Sequence, residues 1–529
     1  MANARQNDFI MPDRRAVAPP TDSLVRLSAS ELARQIAAKR VTSLEAVEAY
    51  VRRIEEVNPL INAVVVPRFD DARREARAAD EVTAAGRAVG PLHGVPFTIK
   101  ECFHFPGLPS TIGLTNRVGL RDDAENPLVA RLRAAGGILL GKTNIPQLMV
   151  WHECDNPVYG CTNLPHNLDR TPGGSTGGEA AAISAHCSPL GIGNDLGGSI
   201  RVPAAWCGLF GFKATSYRIT NRGTTGAFRG VVVMVTQPGP LARSAEDCAL
   251  VDRVLTAGTN DFDIAPVPRR DPAAVSIRGL KIAAWDDDGY FPACPTAKRA
   301  VREAAAALEQ QGASVQWITP PRLSESIELY YSILGADGAE GAKQMSRGSQ
   351  IDPRVGRMLW MAGLAPAVRW SIVQSLRWGG QEWQARLVSS ARPCSAAQFW
   401  RLCDQLGDVI ATFQREVFLE RGVQALLSPP HALPALPHGT GFDLLPAASY
   451  AYNANLLGLP AGVVPWTTVR ADETRSSAAA RDITQRRAEE TLIGAEGLPI
   501  GVQIAAPAWR DDVVLAVMQA LDVARPTVS

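Results

Sequence analysis

Net charge is almost absent from this chain. Its 529 residues carry 54 Lys and Arg against 53 Asp and Glu, a balance of 54 − 53 = +1. Binding driven by phosphate neutralisation needs a basic field, so the balance argues against a nucleic-acid partner. Cysteine is scarce as well: nine thiols are scattered from Cys102 to Cys403, with no CxxC pair and an odd count. That excludes a disulfide framework, a zinc ribbon and a thioredoxin-type site. It predicts free thiols in a reducing compartment and therefore a cytoplasmic location. No run of 18 apolar residues occurs, so no membrane-spanning helix is expected. Met1 to Arg15 holds charges and no apolar stretch, and does not read as a secretory leader. No internal repeat is visible.

What is present is ordinary for a folded protein. Hydrophobic residues make up 46% and charged residues 20%, which excludes a disordered, collagen-like or coiled-coil chain. The length fits three or four domains of about 150 residues, or one large α/β domain. The 45 glycines and 38 prolines predict many tight turns rather than long bundles.

Residues 1–22 read as a polar, proline-containing tail. Ser28 with Glu31 and Thr42 with Glu45 form capping-box patterns, and Leu44, Val47, Val51 and Ile54 follow a helical period. Residues 63–66 and 95–99 predict buried strands, with a charged-faced helix over 71–85 between them. Such alternation predicts α/β layering around one sheet. Residues 180–185 predict a small-residue helix able to pack closely on a sheet, and 189–193 a short buried strand. A further α/β stretch begins with a strand at 280–284 and a helix at 297–310. Residues 325–423 are mostly helical in pattern, and five of the eleven tryptophans fall between 360 and 400. Residues 470–490 are charged and polar and predict an exposed insertion.

Two motifs match well-known patterns without their physical context. Gly136-Gly137-Ile138-Leu139-Leu140-Gly141-Lys142-Thr143 has the letters of a phosphate-binding loop. A phosphate cradle needs a flexible loop opening a helix, whereas Ile-Leu-Leu favours a buried strand and Pro146 leaves little room for that helix. Gly173-Gly174-Ser175-Thr176-Gly177 matches a nucleophile elbow, which needs an apolar strand before the serine. Residues 167–172 are polar and end in proline instead, and the seven histidines read as surface or packing residues.

Three other segments carry chemistry. In Gly94-Val95-Pro96-Phe97-Thr98-Ile99-Lys100-Glu101 a lysine ends an apolar strand. A buried lysine loses its charge readily because desolvation disfavours the cation. The plainer alternative is a lysine that snorkels or pairs with Glu101. In Pro172-Gly173-Gly174-Ser175-Thr176-Gly177-Gly178-Glu179 a glycine-rich loop leads into a helix, where Ser175 could equally be a cap. In Asn194-Asp195-Leu196-Gly197-Gly198-Ser199-Ile200-Arg201 a serine follows two glycines whose N–H groups are unobstructed, as an oxyanion site requires, or as any tight turn provides. The serines are 199 − 175 = 24 residues apart, a length that suits a helix and a return strand bringing both loops to one sheet edge.

Together these segments resemble the amidase signature family, over about 90–260 and again at 425–515 around Tyr452–Gly462 and Gly497–Gln503. Within it the likeness is to fatty acid amide hydrolases, carried by Thr143–Met149 and Leu459–Pro465. The resemblance implies an α/β amidase-signature fold: one domain over 23–515 with a central mixed twisted β-sheet covered by helices on both faces. It implies a catalytic set of Ser199 as nucleophile, Ser175 joined by a cis peptide, and Lys100 as base. Leu196, Gly197 and Gly198, with Ser199 itself, are the expected oxyanion donors. Gly174, Thr176, Asn194, Asp195 and Arg201 are expected to support the loops. Thr176 stands where the family usually has a second serine and Asn194 where it has threonine, and both keep a hydrogen-bonding side chain.

The similar region of the animal enzymes is a hydrophobic cap at the substrate entrance that docks on membrane. Residues 325–423 are accordingly expected to form such a cap, with Met149, Trp360 and Trp370 contacting substrate and a loose contact with a membrane surface, the equal alternative being that the tryptophan-rich stretch is ordinary core of a helical subdomain. Those enzymes also carry an N-terminal membrane helix, which the sequence here does not resemble. The expected substrate is a small acyl or aryl amide or a carbamate. No metal or organic cofactor is called for. The oligomeric state is open, a homodimer being compatible. Two alternatives are a subunit of a tRNA-dependent amidotransferase, which shares the signature, and an ATP-binding protein resting on the phosphate-loop letters.

Overall fold

Eleven strands among the described residues form one sheet in the computed structural model, which describes residues 16–88, 90–228, 230–257, 264–474 and 481–526. In chain order they are β1 (Val64–Pro67), β2 (Pro96–Lys100), β3 (Ile138–Thr143), β4 (Leu190–Asp195), β5 (Phe210–Lys213), β6 (Gln237–Ala242), β7 (Lys281–Ala284), β8 (Ser314–Trp317), β9 (Ala425–Ser428), β10 (Ala461–Thr468) and β11 (Pro499–Ala505). Their order across the sheet is β1-β3-β2-β4-β6-β5-β10-β11-β9-β7-β8. The sheet is mixed: β2 runs parallel to β3 and β4, and β7 runs parallel to β8 and β9, while the other pairs are antiparallel. Every residue of β2, β3, β4, β6 and β11 is buried. Strands without a solvated face need cover on both sides, which the helices supply.

The phosphate-loop letters resolve into β3 and its preceding turn. Lys142 lies inside, bonded to Asp122 at 2.8 Å, Ser110 Oγ at 2.9 Å and the Pro109 carbonyl at 2.8 Å. No cradle of amides opens there, which removes the basis for a nucleotide site. Ser175 follows no strand; the helix Gly177–Ser184 begins just after it. Small residues let that helix lie close to β3, and Gly178 donates to the Asn144 carbonyl at 3.1 Å. A Cβ on Gly178 would stand 2.4 Å from the Asn144 nitrogen and 2.5 Å from its oxygen.

Helices Leu323–Leu334, Glu340–Ser346, Pro353–Ala362, Pro366–Trp378, Glu382–Ser390 and Ala396–Phe413 make up the expected helical region. No helix among the described residues is long and apolar enough to cross a membrane.

Three segment boundaries and one helix cap differ from expectation. Of the tail over 1–22, residues 1–15 lie outside the described residues, and 16–22 are held on the body: Val17 donates to the Pro165 carbonyl at 2.8 Å and the Ala18 carbonyl accepts from Arg53 at 2.6 Å. The 470–490 segment is not a plain exposed insertion. Outside the undescribed 475–480, Asp482 caps helix Ile483–Leu492 and accepts from Trp383 N, and Thr484 bonds Gln384 at 3.1 Å, docking the segment on the cap. The C-terminal helix Asp511–Ala524 carries the domain past 515. Thr42 and Glu45 form the full capping box, whereas Glu31 turns away from Ser28 to Arg34 and Gln35.

Gly178→Ala is expected to lower the unfolding free energy by about 1–3 kcal/mol, because backbone atoms cannot yield to the added methyl. Thermal denaturation checks this; an unchanged Tm would contradict the close approach.

Candidate active site

Lys100 ends β2, and Ile99 lies opposite Ile192 of the parallel strand β4. Both strands therefore end at the same edge of the sheet, where the loops of an open parallel arrangement leave room for a site. The loop before helix Gly177–Ser184 carries Ser175, and the turn between β4 and helix Arg201–Trp206 carries Ser199. Thr176 N donates to the Ser199 carbonyl at 3.2 Å, tying the two loops together. The helix and return strand inferred from the 24-residue spacing bring them there.

Lys100 is fully buried. Its Nζ lies 2.7 Å from Ser175 Oγ, 2.7 Å from Asn194 Oδ1 and 3.5 Å from the Asn194 carbonyl. Burial pushes its ammonium down to about 8, against the weaker pull of nearby thiols and carboxylates. Glu101 does not pair with it; that carboxylate accepts from Thr111 N, from Thr111 Oγ1 at 2.7 Å and from Ile112 N at 3.1 Å. Glu179 lies buried at the same sheet edge, bonded to the Thr98 hydroxyl and to Thr143 Oγ1 at 2.8 Å, and burial pushes its carboxyl up to about 8. Ser175 is buried and the Gly174–Ser175 peptide is cis. Gly174 is pressed on backbone: a Cβ there would meet the Glu153 carbonyl at 2.3 Å. Thr176 Oγ1 donates to the Asn194 carbonyl at 3.3 Å, so both residues that depart from the usual pattern support Lys100 and its neighbours.

Asp195 organises the Ser199 turn. Its carboxylate accepts from Gly198 N at 2.8 Å, Ile200 N at 3.0 Å, Asn455 Nδ2 at 2.9 Å, and Arg201 Nε and Nη2 at 3.1 and 2.9 Å. Burial alone would raise this carboxyl, but the Arg201 guanidinium holds it well below the usual carboxylate range. Gly198 was expected among the oxyanion donors. Its N–H is spent on Asp195 instead, leaving those of Leu196, Gly197 and Ser199 on the loop.

An apolar cavity opens on Ser199, walled by Met149 and Trp151, by Tyr330 and Tyr452, and by Met358 and Met361 of the cap. A second, more polar cavity touches Ser175, Asn194 and Ser199 from the side of the 221–228 loop. Met149 lines both cavities. Trp360 and Trp370 do not reach the cavity at Ser199; they are 60% and 66% exposed. Helical geometry is the reason: Met358 and Met361 are three apart and share a face, while Trp360 points away from it.

Sequence reasoning missed three further contributors. His152 is buried beside the site, and its Nε2 lies 2.9 Å from the Gly197 carbonyl. A carbonyl can only accept, so this nitrogen carries the proton. Burial pushes the ring down to about 4, so it is neutral. Asn455 and Gln503 bond Arg201 at 2.5 and 2.6 Å. Both stood inside the quoted C-terminal segments, but nothing local to them signals a link to residue 201.

The Amidase family model matches residues 45–515. The chain belongs to the amidase signature family. It is an amide hydrolase. It is 31% identical to fatty-acid amide hydrolase 1 of Sus scrofa, over 95% of this chain and 87% of the relative. It is 32% identical to the A subunit of glutamyl-tRNA(Gln) amidotransferase from Roseiflexus castenholzii, over 93% and 95%. The structure of 6-aminohexanoate cyclic dimer hydrolase complexed with substrate superposes with a TM-score of 0.74 at 27% identity, covering 96% of this chain and 98% of the other.

Replacing Arg201 by leucine is expected to cost about 3–5 kcal/mol of stability, since it strands the Asp195 charge in the interior. Denaturant unfolding reads this out; a loss below about 1 kcal/mol would show that Asp195 does not depend on the guanidinium.

Proposed function

We propose that this amidase cleaves the C–N bond of small acyl or aryl amides, and of carbamates, through an acyl-enzyme on Ser199. The observation that carries the reading is the 2.7 Å contact between a fully buried lysine and the Ser175 hydroxyl. Neutral Lys100 has a lone pair and can take the Ser175 proton while an N–H of Nζ points at Asn194 Oδ1. Ser175 in turn takes the proton of Ser199, whose oxygen attacks the carbonyl. The oxyanion that forms is met by the N–H groups of Leu196, Gly197 and Ser199. The proton then returns from Lys100 through Ser175 to the leaving nitrogen, which would otherwise depart as a very poor anion. Water repeats the sequence on the ester. Each proton in this scheme is relayed by Ser175 and Lys100 between the nucleophile and the leaving group, and no step calls on a metal or organic cofactor.

The apolar cavity supports an acyl or aryl substrate, and the methionines of the cap would wall its far end. The Sus scrofa relative is named for fatty-acid amides and the superposed enzyme for a cyclic dimer of 6-aminohexanoate, both amides with methylene chains. A second reading, part of a tRNA-dependent amidotransferase, is favoured by the Roseiflexus relative. It needs a further chain and an RNA, and a net charge of +1 supports the stand-alone hydrolase better. We place the enzyme in the cytoplasm, where Trp360, Trp370, Trp378 and Trp400, each at least 60% exposed, would give the cap a loose contact with membrane surfaces.

Ser199→Ala is expected to abolish hydrolysis and labelling by a fluorophosphonate while the fold persists. Label on Ser175, or an active Ser199→Ala enzyme, would overturn the assignment. Lys100→Ala is expected to lower kcat by about 10²–10⁴, the contribution of a positioned general base, with KM little changed. Steady-state kinetics on a 4-nitroanilide checks this, and a loss confined to KM would contradict it.

A further inference from the structure

Tyr330 brings to the Ser199 cavity a hydroxyl that donates to no protein group among the described residues. It sits in helix Leu323–Leu334 and is only 6% exposed. Its ring stacks on Tyr452 with centroids 4.2 Å apart and planes 8° from parallel, and meets Tyr331 edge-on at 5.8 Å. The two neighbouring tyrosines are spoken for: Tyr331 and Tyr452 both donate to the Leu445 carbonyl at 3.1 Å. The Tyr330 hydroxyl instead rests against the Ser199 loop. A Cβ added to Gly197 would lie 2.1 Å from that oxygen and 3.2 Å from the Tyr452 ring. Two ring contacts fix the phenol, so the donor is held in place beside the turn that carries Ser199. Burial keeps the phenol protonated, since its pKa is raised well above 10.

A buried, immobilised donor at a reacting centre is matched by an acceptor on the substrate. The carbonyl oxygen already has the loop N–H groups. Tyr330 stands on the wall of the apolar cavity, which on the reading proposed above takes the acyl side of the substrate, the group attached to the scissile carbon. In a simple amide the first atom of that group is a methylene, which accepts nothing. In a carbamate it is an oxygen. We infer that Tyr330 is a specificity-determining residue that donates a hydrogen bond to the alkoxy oxygen of a carbamate, and that carbamates are the preferred substrate class. The inference rests on Ser199 being the nucleophile. Ser199 Oγ bonds to the carbamate carbon as the C–N bond breaks and the amine leaves with the returned proton. Water then cleaves the alkoxycarbonyl-enzyme to an alkyl hydrogen carbonate, which separates into alcohol and carbon dioxide.

The test compares Tyr330→Phe with wild type on butyl N-(4-nitrophenyl)carbamate and on its methylene isostere, hexanoic 4-nitroanilide. Both release 4-nitroaniline. The variant should lose roughly tenfold or more in kcat/KM on the carbamate and less than about threefold on the amide, the size expected of one substrate hydrogen bond. Its Tm should not fall, because the fold makes no use of the hydroxyl. Equal losses on both substrates, no loss on the carbamate, or a lowered Tm would each overturn the inference. Fluorophosphonate labelling of Ser199 separates the two claims. If Ser199→Ala still cleaves both substrates, the nucleophile is wrong; if Ser199 is labelled at the wild-type rate in Tyr330→Phe and the losses match, only the role of Tyr330 is.

Discussion

Among the described residues no carboxylate is in hydrogen-bond contact with Lys100: its nitrogen touches a serine hydroxyl and an asparagine, both neutral. Its side chain is fully buried, the nearby thiols and carboxylates only partly offset the loss of hydration, and the ammonium pKa falls to about 8. Asp195, on the turn that carries Ser199, lies in an equally dry place but faces Arg201, and stays ionised. Similar burial thus gives a base that can be neutral near physiological pH and a structural anion that never is. The difference comes from partners alone, and it assigns the roles of the groups around Ser199.

The rest of the architecture keeps that arrangement dry and aligned. Parallel pairing of β2 with β4 delivers Lys100 and the Asn194–Ser199 segment to one edge. Glycine at 178 lets the Ser175 helix approach β3 closely, and glycine at 174 lets its loop lie on the 151–153 backbone. Arg201 reaches across to Asn455 and Gln503, so the C-terminal part of the chain holds the Ser199 turn in place. On the far side Arg354, which opens helix Pro353–Ala362, pairs with Glu153 at 3.0 Å and Asp155 at 2.7 Å and fixes the cap to the core.

Much of this was legible in the sequence where a local pattern has one physical solution. The apolar run ending at Lys100, the strand within the phosphate-loop letters and the helix between the serines all form where periodicity places them. Expectations about the oxyanion loop and the cap tryptophans failed where a second, distant group decides. Gly198 looks like an open donor until Asp195 turns back to take its N–H. Trp360 and Trp370 look like pocket residues because aromatic content says nothing about which face of a helix meets the core; on the helix of Trp360 two methionines occupy that face, and Trp370 lies exposed on the next helix. The 482–492 segment looks solvated because its partners, Trp383 and Gln384, are about a hundred residues away.

The central claim is that a neutral Lys100 is the base that activates Ser199, and the pH dependence of Ser199 acylation tests it most directly. Below its pKa the lysine is an ammonium and cannot accept a proton; above it the base is present. The rate of fluorophosphonate labelling should therefore be low in mildly acidic buffer and rise through about pH 8 to a plateau, and Lys100→Ala should label slowly with that rise gone. A labelling rate that is flat from mildly acidic to alkaline pH, or a rise that survives in Lys100→Ala, would contradict the account.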